Sequence, residues 1–320
     1  PKIINFCNQR FYGGRLLIMT EDHGEPDVIT AWRTAPGHHA RGAFNPREIE
    51  TIRREMLPSL PCEPAEIGII SPYNEQVNAL HRELGGGIDV ATVHKFQGRE
   101  KEAIILSTVD DQITAFTDDP NLLNVAVSRA KRQFTLVTSS NEQPDSRNIA
   151  DLLAYIDYNG GKITESAIHS VFDLLYEPYA EARREFLKRH RRISEFDSEN
   201  LTYALLERVL EADPAFRHLG VLCHQPLRQL IRDWTILDDE ERRYALNGAT
   251  HLDFLIYNRV SKRPVLAIET DGYQFHKQGT RQSERDRMKD RILDRYSLPL
   301  LRLSTTGTDE EAKIHTLLKR

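Results

Sequence analysis

The first half of the chain alternates short apolar, β-branched runs with longer segments in which apolar residues recur at helical spacing. The runs predict strands over 67–70, 90–93, 103–109 and 134–137. The spaced segments predict helices over 45–57, 75–84 and 122–130. Asn45 is the expected N-cap of the first helix, with Pro46 at its first position. Strands that alternate with helices predict a parallel α/β sheet.

The second half follows a different order. Ser198 is predicted to cap a helix that runs to 212. Predicted strands follow over 219–223, 251–257, 264–270 and 298–303, with a charged helix over 281–296 before the last strand. This order of helix, three strands, helix and strand predicts an α+β domain. We therefore expect one domain over 1–140 and another over 195–320, joined by a helical linker over 141–194.

Composition narrows the class of protein. A chain of 320 residues is long enough for two domains, and 39% hydrophobic with 28% charged residues suits packed cores. The formal net charge of −5 argues against a uniformly basic nucleic-acid-binding protein. Three widely spaced cysteines form no disulfide framework, which favours a reducing, cytoplasmic location. No apolar run is long enough for a membrane span, so no contact with a membrane is expected.

Two segments of the first half carry candidate chemistry. Gly98 lies in a loop between predicted strands, where a glycine lets the backbone approach a ligand closely, and Glu100 offers oxygens to a ribose hydroxyl. Arg129, Lys131 and Arg132 lie at the end of a predicted helix. These bases either stabilise the helix C-terminus or bind phosphate, and the residues alone leave both interpretations open.

Residues 71–76, 92–100 and 123–132, in that order, resemble three motifs of the second RecA-like domain of superfamily 1 helicases, closest to the up-frameshift-type branch. The resemblance covers about the first 140 residues. It implies that Arg129 reaches the γ-phosphate of ATP and that Glu100 binds the ribose, with Gly98 in the same loop. It also implies that Thr92 and Gln97 lie near the nucleic-acid backbone.

The chain departs from that family in one respect. The phosphate-binding loop G-x-x-x-x-G-K-[ST] does not occur in it. We therefore expect a first RecA-like domain upstream of Pro1 in a longer protein. ATP is the expected cofactor of that longer protein, and the chain by itself is not expected to hydrolyse ATP.

Three carboxylates of the second half indicate a metal site. Asp253 interrupts an apolar strand, where a carboxylate is costly unless it is paired. If the following hairpin centres on Ser261, Asp253 lies across from Glu269, and Asp271 shares the face of Glu269. Like charges that converge need a cation or a proton, and oxygen ligands favour Mg²⁺ or Mn²⁺.

Two further features of the second half are candidates for a ligand role. Glu199 falls on the same helical stripe as Tyr203 and Leu206, and therefore on the inward face. It either supports the metal site or stabilises the helix N-terminus, and both interpretations stand. Cys223 and His224 complete no zinc motif, and we interpret them as a buried thiol beside a histidine at a strand end.

The acid on this helix, Asp253 and the run Glu269-x-Asp271-Gly resemble the PD-(D/E)XK nuclease superfamily, closest to its Vsr-like branch. The resemblance spans roughly 195–305. It implies a restriction-endonuclease-like fold and metal-dependent hydrolysis of phosphodiesters, with Asp253, Glu269 and Asp271 as metal ligands.

One position departs from that pattern, because Asp271 stands where the superfamily has a lysine. Lys289, on the predicted helix over 281–296, is the candidate for a lysine that has moved. His276 and Lys277 are its rivals as the catalytic residue, and activation of water by a metal alone is the remaining alternative.

Together these patterns predict the C-terminal part of a helicase–nuclease that acts on DNA or RNA. Two other functions stay open: a nucleic-acid-binding module with a non-catalytic nuclease fold, and a helicase whose tail only contacts partner proteins. Bases between the two domains, Arg184 and Arg189 among them, are either a solvated helix face or a phosphate-binding patch.

Overall fold

The computed structural model describes residues 1–21, 23–176, 179–271 and 281–319, without the side chains of 281–283. It divides the chain into two compact units, Pro1–Ile168 and His169–Arg320. Within the described residues, no helix combines the length and the apolar composition that crossing a membrane requires.

The first unit is built on a parallel sheet of six strands in the order β3-β2-β4-β5-β1-β6. Helices α1, α5 and α6 pack on one face of this sheet, and α2 and α3 pack on the other. The elements are α1 (Lys2–Phe11), β1 (Ile29–Thr34), α2 (Pro46–Thr51), β2 (Ile67–Ser71), α3 (Asn74–Leu84), β3 (Asp89–Thr92), α4 (Val93–Phe96), β4 (Lys101–Ser107), α5 (Pro120–Ser128), β5 (Ala130–Ser139), α6 (Asn148–Tyr158) and β6 (Ile163–Glu165).

The predicted parallel α/β sheet is confirmed, and the four predicted strands correspond to β2, β3, β4 and β5. Asn45 caps α2, since its side chain accepts hydrogen bonds from the backbone N–H groups of Arg47 and Glu48. The helix predicted to reach 57 is α-helical only to Thr51 and continues as a π-helical turn over Ile52–Met56.

Strand β1 was not predicted, because polar side chains interrupt its apolar pattern. One of them, Thr30, is buried and shares a hydroxyl–hydroxyl bond of 2.9 Å with Thr135 of β5. Strand β6 was not predicted either, and it pairs with β1 at the end of the sheet. The stretch expected to be a helical linker over 141–194 is therefore divided, since α6 and β6 lie in the first unit.

The second unit is built on a sheet of four strands in the order β10-β9-β8-β7. Strand β8 is antiparallel to both β7 and β9, whereas β9 and β10 are parallel. Helices α8 and α11 cover one face, and α9 and α10 cover the other. The elements are α7 (Ala180–Lys188), α8 (Asp197–Ala212), β7 (Leu219–Pro226), α9 (Asp239–Leu246), β8 (His251–Asn258), β9 (Pro264–Asp271), α10 (Arg281–Arg295), β10 (Leu300–Ser304) and α11 (Glu310–Leu318).

The predicted order of the second unit is confirmed, with two corrections. Ser198 is not the N-cap of α8, because the helix already begins at Asp197 and Ser198 lies in its first turn. Helix α9 was not predicted, because its charged sequence has no apolar stripe of useful length. Asp238 caps this helix by accepting hydrogen bonds from the N–H groups of Glu240 and Glu241.

Candidate functional site

Asp253 and Glu269 lie side by side on adjacent strands. The ladder pairs Phe254 of β8 with Ile268 of β9, so the next position on each strand brings Asp253 across from Glu269. The predicted hairpin register is therefore confirmed. The Asp253 N–H lies 3.4 Å from Oε1 of Glu269, and Oδ2 of Asp253 accepts a 2.8 Å hydrogen bond from the N–H of Thr270.

Lys289 of α10 joins this pair of carboxylates. Its Nζ lies 2.7 Å from Oε2 of Glu269 and donates a second hydrogen bond of 2.9 Å to the carbonyl oxygen of His251. Glu269 and Lys289 are 6% and 8% exposed, so the ion pair is almost fully withdrawn from water. A charge-assisted hydrogen bond of this kind fixes the orientation of both side chains.

Burial sets the electrostatics of the two carboxylates. It raises the pKa of Glu269 to about 7; the positive charge of Lys289 opposes this rise, and the negative charge of Asp253 adds to it. Burial also raises the pKa of Asp253, against the lowering effect of the Thr270 N–H, and the charge of Glu199 raises it further. These two carboxylates, one buried and one partly buried, thus retain a need for a proton or a second cation beside the single lysine.

Asp271 has a different charged partner from Asp253 and Glu269. Its carboxylate is paired with Arg302 of β10 at 3.3 Å, and the same guanidinium lies 2.7 Å from Asp290 and 3.6 Å from Asp286. In the parallel ladder Arg302 is the partner of Glu269. The Arg302 side chain therefore lies where Asp271 was expected to act as a third metal ligand. In the part of the chain that the structure describes, no three His, Cys, Asp or Glu side chains are grouped as metal ligands.

A histidine that sequence reasoning left aside lies beside the carboxylates. His224 Nε2 is 2.8 Å from Oε2 of Glu199, whose side chain is 16% exposed. The β7–β8 register, with Cys223 opposite Phe254, brings His224 opposite Asp253. His224 has φ of +49°, a left-handed conformation inside the strand, and its ring meets that of His251 edge-on at 5.6 Å.

The side chain of Glu199 is mostly buried, as its inward position predicts, and its hydrogen-bond partner is His224, which was not predicted. His224 is inside β7, not at its end. No hairpin spacing could have found it, because the connection from β7 to β8 contains α9, and its place opposite Asp253 requires β7 to extend beyond 223. His276 and Lys277, the rivals of Lys289, lie outside the described residues.

In the first unit, the predicted nucleotide-binding residues meet at the amino ends of two neighbouring strands. Lys101 of β4 pairs with Ala130 of β5, and the Lys101 N–H donates a 3.1 Å bond to the carbonyl oxygen of Arg129. Glu100 and Arg129 therefore lie next to each other in space, each directly before its strand. Gly98 has φ of +81°, a left-handed conformation that favours glycine.

The guanidinium of Arg129 is half-buried. Its Nη2 donates a 3.0 Å hydrogen bond to Ser128 Oγ, while Nε is buried without a hydrogen-bond partner among the described residues. Its charge opposes the effect of burial, which raises the pKa of the Cys7 thiol to about 12. An unsatisfied buried N–H group of this kind is suited to an anionic ligand.

The residues predicted to lie near nucleic acid belong to two distant parts of the sequence and differ in exposure. Thr92 is buried at the carboxyl end of β3, whereas Gln97 is exposed after α4. Arg184, in the middle of α7, and Arg189, directly after its last residue, are both exposed. Their neighbour Arg183 instead donates to the carbonyl oxygens of residues 174 and 175 and anchors the helix.

Comparison with known proteins agrees with the fold of the first unit. Residues 1–141 match a family model described as an AAA domain. A segment of 101 residues is 39% identical to an uncharacterized ATP-dependent helicase of Methanocaldococcus jannaschii, covering 31% of this chain and 15% of that protein. A segment of 174 residues is 30% identical to the DNA polymerase alpha-associated DNA helicase A of Saccharomyces cerevisiae, covering 42% of this chain and 26% of that protein. These matches, together with the six-stranded parallel sheet, support a RecA-like domain of superfamily 1 helicase type over residues 1–141.

A third relative is the DNA replication ATP-dependent helicase/nuclease DNA2 of Gallus gallus, 39% identical over 84 residues, with 24% of this chain and 8% of that protein covered. The chain thus spans about a quarter or less of the length of these relatives. Residues 196–320 match a family model described as a protein of unknown function.

A buried polar network holds the carboxyl edge of the RecA-like domain. Gln76, from the first helicase-like motif, donates a 2.8 Å bond to Ser107 Oγ and accepts one of 2.8 Å from the N–H of Asn45. Glu48 is fully buried and accepts hydrogen bonds from Ser107 Oγ at 2.5 Å and from the Val109 N–H at 3.0 Å. Gln76 is therefore a structural residue of the domain.

Proposed function

We propose that the chain is part of a helicase–nuclease whose second unit hydrolyses phosphodiester bonds of DNA with a divalent metal ion. The observation that carries the proposal is the group formed by the buried pair Glu269 and Lys289 with the partly buried Asp253. Adjacent strands and a helix hold two carboxylates and one lysine together. In such a reaction the carboxylates bind the metal ion, and the lysine stabilises the negative charge of the transition state.

The surrounding architecture supports this proposal. A helix, three antiparallel strands, a helix and a parallel fourth strand make up the core of the second unit. That order is the one expected of a restriction-endonuclease-like fold. The printed name of the DNA2 relative, a helicase/nuclease, also pairs the two activities in one protein.

Asp253 and Glu269 fit a metal site by their chemistry. Glu269 is buried and Asp253 partly buried, both have a raised pKa, and both offer only oxygen atoms, which suits Mg²⁺ or Mn²⁺. When bound, such an ion would supply Lewis-acid chemistry at the scissile phosphate. Lys289 donates a hydrogen bond to Oε2 of Glu269, whereas Oε1 of Glu269 faces the backbone N–H of Asp253. Asp271 fits a ligand role less well, since Arg302 already takes its carboxylate.

The RecA-like domain would act with ATP. Arg129 would approach the γ-phosphate, and Glu100 beside it would bind the ribose, in a longer protein whose first RecA-like domain carries the phosphate loop. The Nε of Arg129, which has no hydrogen-bond partner in the described part of the chain, supports this role, because a phosphate oxygen would satisfy it. Thr92 and Gln97 would contact the nucleic acid.

The direct test is cleavage of end-labelled DNA by the chain in Mg²⁺ or Mn²⁺ and in EDTA. We expect cleavage only with metal, and a decrease of about 100-fold or more in Glu269→Gln and in Asp253→Asn. Glu211→Gln, an exposed acid on α8, is the matched control, and thermal melting verifies the fold of each variant. Cleavage in EDTA, or full activity in Glu269→Gln, would contradict the proposal.

One observation favours a second candidate function. Lys289 already neutralises Glu269, and a proton taken up by one of the two carboxylates would balance the remaining charge without a metal. The second unit would then be a nucleic-acid-binding module with a non-catalytic nuclease fold. Metal-independent DNA binding without cleavage in Mg²⁺ and in Mn²⁺ would select this function.

A further inference from the structure

A groove lies at the hairpin end of the second unit. It consists of two adjoining cavities of about 240 and 340 Å³, which share Leu230, Arg232 and Pro264 in their walls. We call it the hairpin groove, because Pro264 opens β9 directly after the β8–β9 turn. Five residues separate Pro264 from Glu269, or roughly 17 Å along the strand, so the groove is distinct from the candidate metal site.

The floor of the hairpin groove is apolar and aromatic. Leu222 is 39% exposed there, and the ring of Tyr257 lines the same cavity. On the side of α10, Leu293 and Tyr296 continue the surface. Apolar side chains beside partly exposed tyrosine rings form a surface on which flat, unsaturated rings can stack.

The rim of the groove is basic. Arg232, Lys262 and Arg263 are exposed at it, and among the described residues none of the three lies within ion-pair distance of a carboxylate. Lys262 Nζ lies 6.0 Å from the centre of the Tyr257 ring, so a cation and an aromatic face are neighbours. Cations without acidic partners on a protein of net charge −5 indicate an anionic ligand.

We infer that the hairpin groove binds a segment of single-stranded nucleic acid, with its phosphates on Arg232, Lys262 and Arg263 and a base stacked on Tyr257. This ligand combines the two features of the surface, a chain of negative charges and exposed flat rings. A duplex hides the faces of its bases, and an acidic peptide has charges without such faces. The inference is independent of the proposed cleavage, because binding without metal is its measure.

The experiment measures fluorescence anisotropy of a labelled oligothymidylate with the whole chain in EDTA, over a series of KCl concentrations. The variant Arg232→Gln/Arg263→Gln is compared with Arg208→Gln/Lys319→Gln, which removes equal charge from two ion-paired, exposed positions elsewhere in the unit. We expect affinity about tenfold lower in the groove variant and a log–log salt slope flatter by about 1.4, since each lost contact to a single strand contributes about 0.7.

Tyr257 tests stacking separately from charge. We expect Tyr257→Leu to weaken binding about fivefold or more and Tyr257→Phe to retain it, because the phenyl ring preserves the stacking face. Thermal melting verifies that both variants are folded.

Three results would overturn the inference. The first is a groove variant with the affinity and salt slope of the charge control. The second is a blunt duplex that binds as tightly as the oligothymidylate and loses the same affinity in the groove variant. The third is displacement of the oligonucleotide by polyglutamate of equal charge together with unchanged binding in Tyr257→Leu, which would assign the groove to an acidic protein.

Discussion

The ammonium group of Lys289 lies 2.7 Å from Oε2 of Glu269, and both side chains are about nine-tenths buried. In the resembling nucleases a lysine follows the glutamate on the same strand, whereas here it comes from α10. The lysine candidate taken from the sequence therefore reaches the glutamate by a different element. If the proposed nuclease site is correct, it therefore holds the charge pair without the linear motif.

This pair predicts how metal affinity depends on pH. A metal ion needs the ionised carboxylate, and the pKa of Glu269 is about 7, so Mg²⁺ or Mn²⁺ affinity should increase as pH rises through about 7. Lys289 lowers that pKa, so Lys289→Met should move the midpoint to higher pH. Calorimetric titrations with Mn²⁺ at pH values from about 5.5 to about 9, spaced about half a pH unit apart, measure both curves.

Lys188→Met, which changes an exposed lysine of α7, is the control and should keep the wild-type midpoint. An unchanged midpoint in Lys289→Met would remove Lys289 from the electrostatics of the site. The cleavage rate of each variant, measured over the same pH series, should follow the metal affinity.

The ion pair of Asp271 with Arg302 gives a second prediction. Asp271→Asn keeps the size of the side chain, and we expect cleavage within about threefold of wild type if Arg302, and not a metal, is its partner. Asp271→Lys puts a cation beside Arg302, and we expect it to destabilise the second unit by about 1–3 kcal/mol. Urea unfolding and cleavage assays measure the two effects. A decrease of two orders of magnitude in Asp271→Asn would restore Asp271 to the metal ligands.

Local pattern was sufficient to predict the hairpin that carries the site. Alternation along β8 and β9 and the turn around Ser261 fix which residues oppose each other, and the observed pairing of Phe254 with Ile268 agrees. Long-range pairing was not predictable in this way. Arg302 reaches Asp271 only because β10 lies parallel to β9 in one register, which no local signal in either strand specifies.

Two other features were not predicted, because the local sequence pattern disagrees with the structure at His224 and at Thr30. His224 adopts φ of +49°, which histidine seldom does, so a strand through it contradicts local preference. In the RecA-like domain, Thr30 breaks the apolar run of β1 but is satisfied by Thr135 across the sheet. In both cases a tertiary contact overrides the local pattern, and both contacts involve residues far apart in sequence.

Arg129 predicts a defect in ATP hydrolysis. In a protein that joins this chain to a domain with a phosphate loop, Arg129→Ala should lower turnover by about 10³-fold or more, because a positioned arginine stabilises the charge of the transferring phosphoryl group. Arg132→Ala, three residues later and exposed, is the matched control and should retain activity. Steady-state phosphate release measures both. Near wild-type turnover in Arg129→Ala, or ATPase activity of this chain alone, would contradict the assignment.

Glu48 predicts the pH dependence of the stability of the RecA-like domain. Burial raises its pKa from 4.5 to about 8, against the opposing hydrogen bonds from Ser107 and Val109. Between these two values the folded state holds a proton that the unfolded state has lost. The free energy of unfolding should therefore decrease as pH rises from about 4.5 to about 8, by up to about 1.4 kcal/mol per pH unit. Above pH 8 both states are ionised at this position, and its contribution no longer changes.

Glu48→Gln imitates the protonated side chain and should abolish this slope, whereas Glu83→Gln, an exposed acid on α3, should retain it. The chain has two tryptophans, and in a Trp234→Phe background the fluorescence of Trp32 reports on the first unit alone. Urea unfolding followed in this way at several pH values measures the slope. A free energy of unfolding that stays constant between about pH 5 and 8, with the same curve in Glu48→Gln, would mean that Glu48 is ionised in the folded domain, because a carboxylate that is ionised in both states contributes no slope in this range.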